Sequence, residues 1–269
     1  MTAASSEMVL LCADLAAEHG ALDALVANLG EPQWSTITPA VGWSVRDQIS
    51  HLWFFDQRAV MAMVDPAAFA DDIQWLLANG GTAASVEAGR AMSGESLLAA
   101  WRADRERLLG VAGTIDPSVR VPWYGPAMAA RSFITARLME TWAHGQDVAD
   151  ALGVQRTPTQ RLRHVAHIGV RARPFSYLVN GKQMPDTPVY VELAAPDGST
   201  WQWGDPGADR VSGTALDFCL VVTQRRHVAD TALSVEGEAA QEWIAIAQAF
   251  AGDAGGGRAP GQFGPVTGN

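Results

Sequence analysis

A carboxylate and an imidazole stand four residues apart, as Glu140 and His144, within the long apolar segment 129–152. In an α-helix this spacing places both side chains on one face. Far upstream, a second helix-like segment opens at Ser44 and carries His51 two turns in. If the two helices face each other, two imidazoles and one carboxylate converge. That donor set is typical of an open, catalytic divalent-metal site.

Each part of this pattern is weak by itself. A helical pair such as Glu140 and His144 also occurs as a hydrogen-bonded pair on a partly exposed face. A lone histidine in an apolar helix, such as His51, is more often a satisfied core residue. The combination favours metal binding, because each candidate ligand lies well inside a long helix. Two histidines and one carboxylate also leave coordination positions open for water or substrate.

Apolar periodicity predicts four long helices in the first part of the chain, over about residues 6–29, 44–64, 96–111 and 129–152. Ser44 and Asp47 are predicted to form a capping box at the start of the second helix. A proline- and glycine-rich connection, residues 113–126, precedes the last of these helices. Its Trp123 and Tyr124 either line a pocket or are packed within a crossover between helices. Four amphipathic segments with one extended connection predict an up-down bundle.

The composition changes after residue 155. Strand-like segments 189–193 and 200–203 flank a Pro-Asp-Gly-Ser turn and give the strongest hairpin signal in the chain. Further helices are predicted over 159–172, 214–227 and 238–250, with a short strand at 233–236. The predicted fold class is therefore α+β. We expect a helical bundle over 1–155, a small α+β domain over 156–252, and a disordered, glycine-rich tail over 253–269.

Charge and hydropathy exclude several classes of function. The formal net charge is −10 and no basic run is present, which argues against nucleic-acid binding. Apolar stretches are too short to span a bilayer, and the first residues lack the pattern of a signal peptide. Cys12 and Cys219 lie among apolar residues, which predicts core positions and no disulfide. We expect a cytoplasmic protein with neither a membrane nor a nucleic-acid partner.

Two motifs carry a family resemblance. WSVRDQISHL, residues 43–52, resembles the W-x-x-x-D-x-x-x-H-L signature of the DinB-like metal-dependent bundle superfamily. Together with ETWAHGQD, residues 140–147, it resembles the mycothiol-dependent maleylpyruvate isomerase family in particular. That family joins a DinB-like four-helix bundle to a small, sterol-carrier-like α+β domain. The resemblance implies that His51, Glu140 and His144 bind zinc, or another divalent metal, and that mycothiol is a cosubstrate.

The resemblance also suggests roles for other side chains. The segment DFCLVVTQR, residues 217–225, resembles the helix whose arginine assists catalysis in the isomerases, which points to Arg225, with Arg226 adjacent. Asp47 and Asp147 are candidates to orient the imidazoles, although helix capping is the preferred role for Asp47. The hairpin WQWG, residues 201–204, looks more like an actinobacterial metal-binding subgroup than like the isomerases themselves.

The implied function is a zinc-dependent enzyme that activates a low-molecular-weight thiol, mycothiol in that family. The thiol would serve isomerisation of a small electrophilic acid, or S-transfer to it. Two alternatives stay open at this point. One is a non-catalytic metal-containing protein that binds an apolar small molecule, and the other is a divalent-metal hydrolase. A closed coordination sphere would favour the first of these two alternatives.

Overall fold

A computed structural model describes residues 3–207 and 209–263, with side chains from Glu7 onward. The chain divides into two compact units, Met1–Arg156 and Thr157–Asn269. Helices dominate the described residues and small sheets accompany them, so the predicted α+β class is confirmed. None of the described helices has the length and apolar character needed to cross a membrane.

The first unit is a helical bundle. Its described helices are α1 (Ala3–Val26), α2 (Glu31–Trp34), α3 (Val45–Val64), α4 (Pro66–Ala78), α5 (Ala84–Arg90), α6 (Gly94–Ala112) and α7 (Ala130–Leu152). Strands β1 (Arg120–Val121) and β2 (Met128–Ala129) pair antiparallel just before α7. Helix α1 packs on α6 and α7, and α3 packs on the same two helices. The four long helices that the sequence predicts therefore enclose one core.

Local signals fix where the site-bearing helices begin and end. The Ser44 hydroxyl accepts a hydrogen bond from the Asp47 amide at 3.3 Å, and Asp47 Oδ2 accepts one from the Ser44 amide at 2.8 Å. The predicted capping box at the start of α3 is thus confirmed. Helix α7 ends at Gly153, whose φ of +65° suits a residue without a Cβ. These ends hold α3 and α7 in one register.

The bundle core contains charges as well as apolar side chains. Arg137 on α7 reaches Asp56 on α3 at 2.8 Å, and both side chains are almost completely buried. The Trp101 indole N–H donates to the other Asp56 oxygen at 3.1 Å. This cluster links α3, α6 and α7, and removal of Arg137 or Asp56 would leave the other as an unpaired buried charge.

The second unit joins a four-stranded sheet to helices. Its described helices are α8 (Leu162–Arg171), α9 (Arg173–Val179), α10 (Ala215–Val222) and α11 (Glu238–Ile246), and its strands are β3 (Tyr190–Ala194), β4 (Thr200–Trp203), β5 (Arg210–Thr214) and β6 (Ser234–Glu236). The strand order is β4-β3-β5-β6. Strands β3 and β4 form the predicted antiparallel hairpin, and β3 pairs with β5 in parallel, Val191 opposite Val211.

The segment after α11 forms no helix or strand among its described residues, which end at Phe263. Its backbone nevertheless makes hydrogen bonds. The side-chain amide of Gln248 donates to Asp253 O at 3.1 Å and accepts from the backbone N–H of Gly255 at 2.9 Å. The carboxylate oxygen Oδ1 of Asp230 accepts from the backbone N–H of Gly261 at 2.7 Å. The predicted disordered tail, 253–269, stays a prediction, and its residues 264–269 lie outside the described chain.

Candidate metal centre

Three side chains from two helices converge inside the bundle. Helix α3 contributes His51, and α7 contributes Glu140 and His144. One donor atom from each residue lies within 4.8 Å of the other two, and His144 Nε2 lies 3.4 Å from Glu140 Oε2. Both imidazoles are buried, whereas the Glu140 side chain is 23% exposed. The juxtaposition that the sequence predicts for these residues is present in the structure.

The His51 ring is anchored from outside its own helix. Its Nδ1 lies 2.9 Å from the hydroxyl of Ser85, a fully buried residue near the start of α5. That hydroxyl donates to the carbonyl of Thr82 at 2.6 Å. With Nδ1 bonded to Ser85, a cation at this centre would bind His51 through Nε2.

The His144 ring is anchored by the opposite helix. Its Nδ1 lies 2.5 Å from Oε1 of Gln48, which stands three residues before His51 on α3. The Gln48 amide N–H donates to the Thr38 hydroxyl at 2.9 Å, and that hydroxyl donates to the Trp43 carbonyl at 2.9 Å. Gln48 is fully buried, so this chain of hydrogen bonds is shielded from water.

Aromatic rings pack against both histidines. The Trp43 ring is stacked on His144 at 5.9 Å between centroids, and it also contacts His51 at 5.0 Å. The edge of Phe55 meets His51 at 4.7 Å. These rings surround the two imidazoles with apolar surface, which lowers the local dielectric and strengthens electrostatic interactions at the donors.

The connection before α7 extends this aromatic wall. Trp123 stacks on Phe69 at 5.4 Å, and Tyr124 lies 5.6 Å from Phe55. Burial, together with the nearby charge of Asp72, raises the pKa of the Tyr124 hydroxyl, which donates to Asp72 Oδ2 at 3.1 Å. The loop thus packs as a crossover, which was one of its two predicted roles, and both aromatic residues keep part of their surface exposed.

Comparison with known proteins shows which family the chain belongs to. A family model described as the mycothiol maleylpyruvate isomerase N-terminal domain matches residues 15–149, a range that includes all three candidate ligands. The chain belongs to this family. Proteins with similar sequences include two uncharacterized proteins of Mycobacterium tuberculosis, from strains CDC 1551 / Oshkosh and ATCC 25618 / H37Rv. Each is 48% identical over 249 residues, which cover 91% of this chain and 97% of the relative.

Two solved structures are similar in fold to most of the chain, including residues of both units. Crystal structures of the mycothiol-dependent maleylpyruvate isomerase and of one of its mutants each match with a TM-score of 0.55. Each alignment covers 84% of this chain and 92% of the solved one, at 16% identity. At this identity the likeness shows a common fold and carries no further assignment.

The donor set of this mycothiol maleylpyruvate isomerase family member fits a divalent cation. Two imidazole nitrogens and one carboxylate suit zinc and leave at least one coordination position for water or a substrate. Each imidazole already has its other nitrogen bonded to the protein, as metal-binding histidines usually do. Among the described residues, no other group of three or more histidine, cysteine or acidic side chains is arranged to hold an ion.

The other sequence-predicted residues have these positions and contacts. Arg225 follows α10 in the second unit, where its Nη1 donates to the Thr223 carbonyl at 2.6 Å. Asp47 caps α3 and accepts from Arg90 Nε at 2.7 Å, so capping is its role in the structure. Asp147 is buried on α7. Catalysis by Arg225 and orientation of an imidazole by Asp147 stay predictions.

Sequence reasoning missed the two side chains that anchor the imidazoles. Gln48 lies inside the motif at residues 43–52, and its spacing of three from His51 places both on one face of α3, a signal that was available. Ser85 stands in an alanine-rich segment and contacts His51 across 34 residues of sequence. No local pattern identifies such a contact.

Proposed function

We propose that this protein is a zinc-dependent enzyme that activates a low-molecular-weight thiol, mycothiol, for reaction with a small electrophilic acid. One observation carries the proposal: His51, Glu140 and His144 converge with the Nδ1 atoms of both imidazoles already bonded to the protein. Membership of the mycothiol maleylpyruvate isomerase family supports the thiol and the reaction class.

The three donors perform the binding step. His51 and His144 each present Nε2, and Glu140 supplies the negative charge that offsets part of the charge of a dication. A divalent cation held there supplies a Lewis acid, which favours the deprotonated, nucleophilic form of a thiol at neutral pH. Trp43 and Phe55 exclude water from the imidazole faces, so the donors keep their geometry while a thiol and an acid are exchanged.

The thiol chemistry follows two routes that share a first step. The sulfur adds to one carbon of an activated double bond, and the electron pair of that bond moves to the acid's carbonyl. For isomerisation, rotation about the resulting single bond precedes expulsion of the same thiolate, which restores the double bond. For S-transfer, a proton is added to the carbanion and the thioether is released. We assign to Arg225 the binding of the substrate carboxylate, since a planar guanidinium pairs with it through two hydrogen bonds.

Metal analysis of the purified protein tests the cation. We expect about one zinc per chain, because the donor set forms one site. Replacement of His51 by alanine or of Glu140 by glutamine should remove the metal and the activity together. Glu95→Gln is the matched control, since Glu95 is an exposed carboxylate in the first turn of α6. Absence of bound metal from wild-type protein at neutral pH, after zinc is supplied, contradicts the proposal.

A thiol assay separates the reactions. Zinc-loaded protein is incubated with mycothiol, or with a different small thiol, and with unsaturated acids, and products are followed by mass spectrometry. If an isomerised acid of unchanged mass forms only when the thiol is present, the protein is an isomerase. If a stable thioether of the thiol and the acid accumulates, the protein is an S-transferase. Hydrolysis that needs no thiol would favour a divalent-metal hydrolase. Metal binding without turnover of any acid would favour a non-catalytic protein.

A further inference from the structure

Two networks of hydrogen bonds end on the imidazoles of the candidate metal centre. Each begins at a backbone carbonyl, which accepts hydrogen bonds and never donates them. Each also passes through a single hydroxyl, which has only one proton to give. For neutral imidazole rings, the direction of every hydrogen bond in both networks therefore follows from the contacts.

The network at His51 is the shorter one. Because Thr82 O can only accept, the 2.6 Å contact consumes the proton of the Ser85 hydroxyl. Ser85 Oγ can then only accept from His51 Nδ1, 2.9 Å away. Nδ1 of His51 therefore carries a proton, and in the neutral ring Nε2 carries the lone pair.

The network at His144 reaches the same result by a longer route. The Thr38 hydroxyl donates its single proton to Trp43 O, so it can only accept a hydrogen bond from the Gln48 side chain. The Nε2–H group of Gln48 therefore faces Thr38. The Gln48 carbonyl oxygen then faces His144 Nδ1 at 2.5 Å and accepts its proton. The Nε2 lone pair of His144 lies on the side of Glu140, whose Oε2 is 3.4 Å away.

We infer that Gln48 and Ser85 are positioning residues that fix both imidazoles as Nδ1–H tautomers, so that both Nε2 lone pairs are set for a cation before it arrives. This inference rests on the proposed metal site. Helix α3 then has two functions, because it supplies His51 as a ligand and Gln48 as the anchor of the ligand on α7. Both anchors are fully buried, so water cannot replace them.

The test uses the full-length, metal-free protein and three variants. Gln48→Leu removes the acceptor for His144, Ser85→Ala removes the acceptor for His51, and Gln48→Glu retains an oxygen at the same position. Nitrogen NMR of the imidazole rings at alkaline pH reports the tautomer of each histidine. Competition with a chelator gives the zinc dissociation constant.

We expect the wild-type rings to be Nδ1–H tautomers. In Gln48→Leu, His144 alone should lose this preference, and in Ser85→Ala, His51 alone. Each of these two variants should bind zinc about 10- to 100-fold more weakly, the usual cost of losing an outer-shell partner. Gln48→Glu should bind zinc at least as tightly as wild type. A role in packing alone would not move one tautomer without the other.

Gln57→Leu is the matched control, because Gln57 lies on the same helix and its side chain donates to Asp104 at 2.8 Å, not to a histidine. It should leave both tautomers and the zinc affinity unchanged. Wild-type tautomers and wild-type affinity in Gln48→Leu and Ser85→Ala would overturn the inference. If no form binds zinc, the proposed function fails, and the NMR spectra still decide the role of the anchors.

Discussion

Three histidines are buried in the helical bundle, and they differ in what their ring nitrogens contact. His51 and His144 each have one nitrogen bonded to an anchoring side chain. His19 on α1 is 2% exposed, and neither of its nitrogens has a hydrogen-bond partner among the described residues. Its ring meets the edge of Trp101 at 5.8 Å. His19 is therefore a neutral core residue. It differs from the candidate ligands His51 and His144 in that no side chain anchors its ring by a hydrogen bond.

His19 contributes to the pH dependence of stability. Burial lowers the pKa of His19 from 6.5 to about 4, although the charge of Asp56 opposes the shift. Below pH 6.5 the His19 side chain binds a proton in the unfolded chain but not in the folded chain. The free energy of unfolding therefore falls as the pH falls, and it levels off below the pKa of the folded state. The loss amounts to about 3 kcal/mol across that window.

Urea unfolding of metal-free protein at several pH values measures this loss. His19→Gln removes the titrating group, so the free energy of unfolding of the variant should depend less steeply on pH between 6.5 and about 4. The difference between the wild-type and variant free energies of unfolding at each pH gives the contribution of His19, because every other titrating group is the same in the two proteins. Parallel curves for the two proteins would show that His19 is not the buried neutral group described here.

At the residue scale, the sequence predicts the candidate ligands better than the side chains that anchor them. His51, Glu140 and His144 lie on helices whose periodicity is strong, so helical spacing alone brings Glu140 and His144 to one face. Ser85 becomes relevant only when α5 packs on α3, which local sequence does not encode. The distinction between His51 and His19 is equally non-local, since both lie in apolar helical segments and only tertiary contacts separate their roles.

At the scale of elements, α5 holds its place through a close approach to α3. The Gly89 amide donates to the Ser50 hydroxyl at 3.2 Å, and that hydroxyl donates to the Ser85 carbonyl at 2.9 Å. A Cβ at Gly89 would lie only 2.4 Å from Ser50 Cβ and Oγ. Only glycine permits this approach, and through it the position of Ser85 beside His51 depends on the packing of two helices.

Gly89→Ala should therefore push α5 away from α3. We expect a cost of about 1–3 kcal/mol in the free energy of unfolding, as for other overpacked cores, together with weaker zinc binding because Ser85 moves away from His51. Chemical denaturation and chelator competition measure the two effects.

Gly110→Ala on α6 is the matched control. Apart from the adjacent residues and the nearby backbone of α6 itself, no atom lies within 4 Å of a Cβ built there, so the change should stabilise the helix by up to about 1 kcal/mol. Equal effects of the two substitutions would contradict the close-approach argument, since a general helix-propensity effect would then explain both.

Elements with strong local signals are predicted best. The β3–β4 hairpin follows from its turn, and α3 follows from its capping box. Strand β5 was not predicted, because only Val211 in it is a large apolar residue and its parallel pairing with β3 comes from a distant part of the chain. Helix α10 ends at Val222 and not at the predicted 227, because Gln224 adopts a positive φ of 59° and the chain turns there.

At the scale of the molecule, the candidate ligands belong entirely to the first unit. A cation that binds only the folded state stabilises it by RT ln(1 + [L]/Kd), about 2.7 kcal/mol at 100 times the Kd. We expect hydrogen exchange, followed by mass spectrometry, to slow on addition of zinc in α3 and α7 and to stay unchanged in β3, β4 and β5. Equal protection of both units would show that zinc acts on the chain as a whole.

The uneven burial of the three donors has a kinetic consequence. Both imidazoles are enclosed by aromatic rings and helix backbone, and Glu140 is the donor that solvent reaches. We expect a cation that binds at this centre to enter and leave from the Glu140 side, with the carboxylate forming the first bond and breaking first. The exposed position of Glu140 would thus limit how fast a metal is captured and lost, whereas all three donors would contribute to the equilibrium affinity.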